Sequence, residues 1–182
     1  ATLYMQKDGN IELLDGPVEF NVNLLREGVL KGASFDEYNS HFSDLALLYK
    51  KYSQYSDRFN RLESKLNLLE KALLLSESLS ENSFAELKNV KDEYLSIKDK
   101  YGTSPSKNEI GEWDKPTIGS RLSIANQGLS TFYGPTGMNK YNLEVAEKLV
   151  DEYKDDVELI NNMVEDLEEK IKDLDHPHIS GS

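Results

Sequence analysis

The stretch that decides the fold is residues 34–75, SFDEYNSHFSDLALLYKKYSQYSDRFNRLESKLNLLEKALLL. Apolar and aromatic side chains recur along it every three or four residues, the spacing of one face of an α-helix. This stripe consists of Tyr38, Phe42, Leu45, Tyr49, Tyr52, Tyr55, Phe59, Leu62, Leu66, Leu69 and Leu73. Ser34 and Glu37 form the S-x-x-E pattern that starts a helix. Two steps of three follow each other around Tyr52, which predicts either a bend near Tyr52 or a partner helix that begins or ends opposite it.

The same spacing predicts three further helices after the first one. Their expected extents are residues 83–101, about 117–129 and about 137–174. A polar stretch over residues 76–82 is typical of a tight connection, so the first two helices should pack antiparallel. Glycine, proline and polar residues over 102–117 predict the main loop, which holds the only tryptophan, Trp113.

Residues 2–24 have the pattern of β-strands. Two short apolar runs flank the turn-rich stretch KDGN at 7–10, and apolar and polar residues alternate from Val18 to Leu24. Two or three strands are marginal in water, so this element either packs on the helices or completes a sheet whose other strands lie upstream, which we favour. The chain starts without an initiator methionine or a signal segment, which predicts a piece of a larger protein.

Together these patterns predict a mainly α fold. It is an up-down bundle of three long helices and one short helix, preceded by a small β-hairpin-like element. The predicted organisation is a strand segment over 1–32, a helical bundle over 33–178 and a tail over 179–182.

Composition limits the partners of the chain. Its 33 acidic and 21 basic residues give a net charge of −12, which disfavours nucleic acid and anionic lipid because both would be repelled. Apolar runs fall short of the roughly 18 to 20 residues of a membrane-spanning helix. The chain contains no cysteine, so its composition says little about the redox compartment.

Side chains suited to catalysis are scarce. His41 is interpreted as an edge residue of the first stripe rather than a base. His176 and His178 are interpreted as an exposed tail rather than a metal site, and the acidic runs of the last helix as a solvated surface. The sequence has no glycine-rich phosphate loop and no Ser-His-acid order. We therefore expect no catalytic residue, cofactor or metal, and no enzyme activity.

Four residues remain as candidate interaction residues. Trp113 and Asp114 lie in the main loop, where a tryptophan among polar residues is a common contact residue. Folding of Trp113 back over the bundle fits the same pattern equally well. Tyr133 marks a tight corner before the last helix, and Arg121 lies on the short helix. The tyrosines of the first helix are interpreted as the rim of the core rather than a platform for sugars.

Four short stretches together resemble a known family. They are DGPVEFNV at 15–22, LKG at 30–32, KPTIGSRL at 115–122 and TFYGPT at 131–136. In this order they are similar to the C-terminal region of bacterial sortilin-like BNR-repeat proteins, large secreted β-propeller proteins often labelled glycosyl hydrolases. The resemblance covers residues 8–178. It departs from the family at Gly137 and Met138, where relatives more often continue with a polar residue.

This resemblance implies a non-catalytic accessory or interaction module at the C-terminus of a larger secreted or periplasmic protein. The strand segment would end an upstream β-sandwich-like domain, and the bundle would pack on or extend from the propeller. The implied partners are the upstream domains of the same polypeptide, and beyond them another protein or a glycan. An alternative is a carbohydrate-binding or glycoside-hydrolase-associated domain. A third hypothesis, from the heptad spacing alone, is a self-associating coiled coil.

Overall fold

The computed structural model describes residues 2–7, 9–21, 31–76, 81–131 and 133–172. In this part of the chain, two strands precede five α-helices. They are β1 (Leu3–Lys7), β2 (Asn10–Asp15), α1 (Phe35–Leu75), α2 (Glu81–Tyr101), α3 (Pro105–Ile110), α4 (Ile118–Gln127) and α5 (Gly137–Lys172), with a 3₁₀ turn at Gly128–Ser130. Residue contacts divide the chain into two compact units, Ala1–Gly32 and Ala33–Ser182. The predicted mainly α bundle with a small antiparallel β-element before it is confirmed.

Side-chain caps start α1 and α4 where the sequence predicts these two helices, whereas α2 starts at Glu81, two residues before the predicted Ser83. The Ser34 hydroxyl accepts a hydrogen bond from the Glu37 amide at 3.2 Å, as the S-x-x-E pattern requires. The Thr117 hydroxyl accepts from the Ser120 amide at 3.1 Å at the start of α4. The starts of α1 and α4 are therefore defined by local signals.

The inner seam of α1 is an uninterrupted heptad repeat, so the two successive steps of three in the predicted stripe are not present in it. The residues that face the core are His41, Leu45, Leu48, Tyr52, Tyr55, Phe59, Leu62, Leu66, Leu69 and Leu73. Phe42 and Tyr49 of the predicted stripe are 54% and 39% exposed. His41 and Leu48 replace them, which restores the regular alternation of four and three. The interpretation of His41 as an edge residue is also wrong, because it is buried.

α5 runs parallel to α1 and in register with it. Lys140 pairs with Glu37 near the start of both helices, and Glu168 pairs with Lys65 at 2.6 Å farther along. From Glu37 to Lys65 is 28 residues, and from Lys140 to Glu168 is also 28 residues. This distance is four heptads, so the two helices keep a constant offset. Such exposed pairs add little stability, but they define the alignment.

α2 and α4 both run antiparallel to α1, each along a different part of it. The ion pairs Lys98–Glu63 and Lys91–Glu70 join α2 to the second half of α1 and confirm the predicted antiparallel packing. Near the start of α1, the Tyr38 hydroxyl donates to a carbonyl of the turn that follows α4, at 2.9 Å. With its 21 residues α2 spans about 32 Å, roughly half of α1. α4 therefore covers the part that α2 does not reach.

Aromatic side chains fill the middle of the bundle. The Tyr153 ring lies 6.1 Å from Tyr52, 5.8 Å from Phe59 and 4.8 Å from Tyr101, measured between centroids. Phe59 also stacks on Tyr94 at 4.5 Å. Burial raises the pKa of Tyr94, Tyr101 and Tyr153 to about 12. These tyrosines are therefore neutral core residues near pH 7.

The hairpin of β1 and β2 exposes apolar side chains. Its register pairs Tyr4 with Leu13 and Gln6 with Ile11, so these four residues share one face. Tyr4, Leu13 and Ile11 are 59%, 55% and 71% exposed. Residues 16–21 are not in a strand. The rest of the predicted alternation, residues 22–24, lies outside the described residues. So do residues 77–80 of the predicted 76–82 connection, and His176 and His178.

Truncation of a seam residue tests the buried core. Leu66 is 2% exposed, so Leu66→Ala should lower the free energy of unfolding by about 2 to 5 kcal/mol through lost burial and a cavity. Urea unfolding followed by circular dichroism measures this loss. Leu74→Ala on the same helix is the control, because Leu74 is 64% exposed and its truncation should cost less than about 0.5 kcal/mol. Equal losses for the two variants would contradict the assigned seam.

Candidate functional site

The main loop between α2 and α4 is more regular than predicted. Residues Pro105–Ile110 form the short helix α3 inside it. A proline at the first position of a helix needs no hydrogen-bond partner for its missing amide. Gly111, with a φ of 72°, ends this helix in the left-handed region, and the Glu112 amide donates to the Lys107 carbonyl at 2.9 Å. The loop therefore has a defined backbone rather than an irregular path.

Asp114 anchors this loop from inside. One carboxylate oxygen accepts from the Ser104 amide at 2.6 Å, and the other accepts from the Lys115 amide at 2.8 Å and the Lys107 ammonium at 3.3 Å. The side chain is only 10% exposed. The hydrogen bonds from the Ser104 and Lys115 amides, with the nearby Lys107 charge, hold the pKa of Asp114 below its ordinary value. Both oxygens are thus engaged by the loop itself.

Trp113 precedes the anchored residue Asp114, and its side chain is exposed to solvent. Its side chain is 96% exposed, so it does not fold back over the bundle. Exposed indoles are frequent contact residues because they offer a large rigid surface with one hydrogen-bond donor. Of the four candidate residues, Trp113 is the most accessible.

Tyr133 lies at a corner that packs against the chain just before α1. The Ala33 amide donates to the Tyr133 carbonyl at 2.8 Å. Gly134 has a φ of 76°, and a Cβ atom there would lie 2.6 Å from that of Ala33, so the corner requires glycine. The Tyr133 side chain is 45% exposed. Tyr133 follows, and Trp113 precedes, the segment formed by α4 and its turn, which is about 20 Å long.

Arg121 points into the bundle. Its Nη1 donates to the Asn142 Oδ1 atom at 3.2 Å, and its buried Nε has no hydrogen-bond partner among the described residues. Asn142 and Asn139 are 4% and 7% exposed. The predicted stripe of the last helix starts with Tyr141 instead, which is 57% exposed. That start of the stripe is wrong because two amides with internal partners occupy the core positions.

The C-terminal turn of α4 is capped by side chains from two other helices. His41 of α1 donates through Nε2 to the Ala125 carbonyl at 3.0 Å. Asn139 of α5 donates to the Ile124 carbonyl at 2.6 Å, and its Oδ1 accepts from the Thr136 amide at 2.8 Å. The last four carbonyls of a helix lack intrahelical partners, so these contacts satisfy groups that would otherwise be buried unpaired. His41 is therefore a structural residue.

An open groove of about 840 Å³ lies along the first halves of α1 and α5 and is lined by residues of both helices. Its charged lining consists of Glu37, Asp44, Glu144, Glu147, Lys50, Lys51 and Lys140. The hydrogen bond and charge of Lys140 lower the pKa of Glu37, and a hydrogen bond with the Ser34 backbone adds to this effect. Acid–base catalysis uses two carboxyl groups in contrasting environments, one of them dry. The charged groups of this groove are of both signs and open to solvent, so they do not form that arrangement.

The described part of the chain lacks two further features. Its His, Asp and Glu side chains do not assemble in groups of three that could hold a metal ion. Its helices do not combine the length and the apolar character that a membrane crossing requires.

The role of Asp114 can be tested by pH. Because its folded-state pKa is lowered, its contribution to loop order is present above the unfolded pKa and is lost as the pH falls through the folded pKa. We expect Asp114→Asn to speed hydrogen exchange of the Ser104 amide at pH 6 to 7, and the difference from wild type to shrink on acidification. Exchange measured by NMR checks this result. Glu112→Gln in the same loop is the control, and an equal effect there would contradict the assigned anchor.

Comparison with known proteins adds no relative. No family model matches the chain, and no curated protein or solved structure matches it either. The likeness to sortilin-like BNR-repeat proteins stays a prediction from four short stretches of sequence, and the function rests on the geometry described above.

Proposed function

We propose that this chain is a non-catalytic interaction module of a larger polypeptide, in which the β1–β2 hairpin completes a sheet built by another segment. The observation that carries the proposal is the exposed apolar face of Tyr4, Ile11 and Leu13. An isolated two-stranded hairpin is at best marginally stable in water. A covering layer would bury this face and stabilise the hairpin.

The hairpin also has backbone groups suited to strand addition. Each of its two strands pairs on one side only within the described residues. Edge strands with free amides and carbonyls are templates for a further strand. An added strand and an apolar cover are the two features that a β-sandwich supplies.

The proposed partner is the domain that precedes the hairpin in the same polypeptide. In the family that the chain resembles, that domain would be β-sandwich-like, and the propeller would lie farther upstream in a secreted or periplasmic protein. A partner on the same chain meets the hairpin at high effective concentration, so a small face is sufficient for docking. The bundle then serves as the C-terminal accessory part.

Hydrogen exchange tests this proposal. We expect the amides of β1 and β2 to exchange rapidly in the 182-residue chain and to be protected in a longer native polypeptide that includes the preceding domain. Mass spectrometry of peptides covering residues 2–21 measures the protection. In the longer protein, Ile11→Ser should reduce it several-fold because the apolar contact is lost.

Glu12→Ser is the matched control, since Glu12 pairs with Met5 on the opposite face of the hairpin. Equal exchange of the hairpin in the short and the long polypeptide would overturn the proposed docking. Loss of protection by Glu12→Ser alone would place the partner on the other face.

A second candidate is a carbohydrate-binding module, and the observation that favours it is the 96% exposure of Trp113. An exposed indole on an anchored loop is suited to stacking on a sugar ring. If this candidate holds, a glycan array shows binding to one sugar class that free sugar competes. Trp113→Ala then removes binding, and Tyr133→Ala at the other end of α4 retains it. A silent array rejects this candidate.

A further inference from the structure

α1 carries a second heptad seam on its outer surface. Its large members are Phe35, Phe42 and Tyr49, which are 79%, 54% and 39% exposed. Its small or polar members are Asn39, Ala46 and Ser53, all exposed. These six residues, called the outer seam, alternate steps of four and three and span about 27 Å. None is charged, although 30% of the chain is charged. An uncharged seam with this spacing is typical of a helix–helix interface.

The helices of the bundle leave the outer seam open. Farther along α1, the heptad position of Phe42 is held by Glu63 and Glu70, which pair with lysines of α2. α2 thus covers this side of α1 in its second half only. In the first half, α4 and its turn bond to Tyr38 and His41, on the inner side of the helix. The exposure of Phe35, Phe42 and Tyr49 shows that these contacts do not cover the outer seam.

We infer that the outer seam binds the outer seam of a second copy of this chain, with the two α1 helices antiparallel about a two-fold axis. The facing pairs in this register are Phe35 with Ser53, Asn39 with Tyr49 and Phe42 with Ala46. Each aromatic side chain then faces a small or polar one, which is the packing that knobs into holes requires. A parallel alignment would set each aromatic residue against its own copy and leave gaps at Ala46 and Ser53.

The charges beside the seam favour the same register. Asp36 and Lys50 flank the seam on one side, and each is seven residues from Ser43. In the antiparallel pair, Asp36 of each copy lies beside Lys50 of the other, and Ser43 lies beside its own copy at the axis. Two opposite-charge contacts result, which adds specificity. Within the described chain, neither Asp36 nor Lys50 takes part in an ion pair.

Cross-linking reads this register directly, because the chain contains no cysteine. For a contact of about five turns of helix we expect an affinity in the micromolar range. At about 100 μM protein, Ser43→Cys should therefore give covalent dimers with a short bismaleimide reagent. Ser53→Cys should not, because the two sites would lie about 27 Å apart in the antiparallel pair. Ser40→Cys, which lines the groove on another side of α1, gives the background. Equal yields for Ser43→Cys and Ser40→Cys, or the highest yield for Ser53→Cys, would overturn the proposal.

Charge exchange tests the same contact without a reagent. Asp36→Lys and Lys50→Asp each create two like-charge contacts between identical copies, so each variant alone should dissociate several-fold more readily. An equimolar mixture of the two variants restores opposite charges at both contacts and should associate like the wild type. Sedimentation velocity from about 1 to about 200 μM measures the association. A mixture that associates no better than either variant alone would refute the register.

Phe42→Lys and Leu47→Lys form a matched pair. Both residues are exposed on α1, at 54% and 61%, but Leu47 lies outside the outer seam. Phe42→Lys should abolish the dimer and Leu47→Lys should retain it, with unchanged helix content by circular dichroism for both. A wild-type chain that stays monomeric over the whole concentration range overturns the inference. The result is independent of hairpin docking, which hydrogen exchange reports separately.

Discussion

The packing of the inner seam of α1 against α5 is the constraint on which the rest of the structure depends. The ion pairs Lys140–Glu37 and Lys65–Glu168 show that the two helices are parallel and in register over four heptads. Two parallel helices of one chain require the intervening segment to return along almost their whole length, about 60 Å. α2 is too short to do this, so α4 completes the return. Because two separate helices make this return, a loop is needed to connect α2 to α4.

The same division explains why polar residues are buried. α4 ends inside the bundle, and its last carbonyls face α1 and α5 rather than water. His41 and Asn139 donate to two of these carbonyls. The burial of His41 is therefore no sign of catalysis, since its ring nitrogen donates a hydrogen bond to a backbone carbonyl of α4. Asp114 acts in the same way for the loop, because its oxygens bond backbone amides instead of facing a ligand.

The described part of the molecule exposes three surfaces on which the proposals rest. The hairpin face, the Trp113 side chain and the outer seam of α1 are all exposed and rich in apolar or aromatic atoms. The occupants proposed for them differ: a further sheet segment, a sugar ring and a second copy of α1, respectively. The net charge of −12 disfavours polyanions as partners, because they would be repelled.

From the sequence alone, α1, α2, α4 and α5 are predictable, because helix periodicity and caps such as Ser34 and Thr117 act over a few residues. The short helix α3 is not, since the sequence predicts a loop there, and α2 starts at Glu81 rather than at the predicted Ser83. The sequence also identifies Trp113 as a candidate contact residue, but not its exposure, nor the inward roles of Asp114 and Arg121. Only the tertiary structure decided which of two neighbouring stripes of α1 faces the core. Composition favours Phe42 over His41 at that position, since phenylalanine is more apolar. The core nevertheless contains His41, because its Nε2 donates a hydrogen bond to a carbonyl of α4 that is 84 residues away in the chain. A partner so distant in the chain leaves no local signal in the sequence.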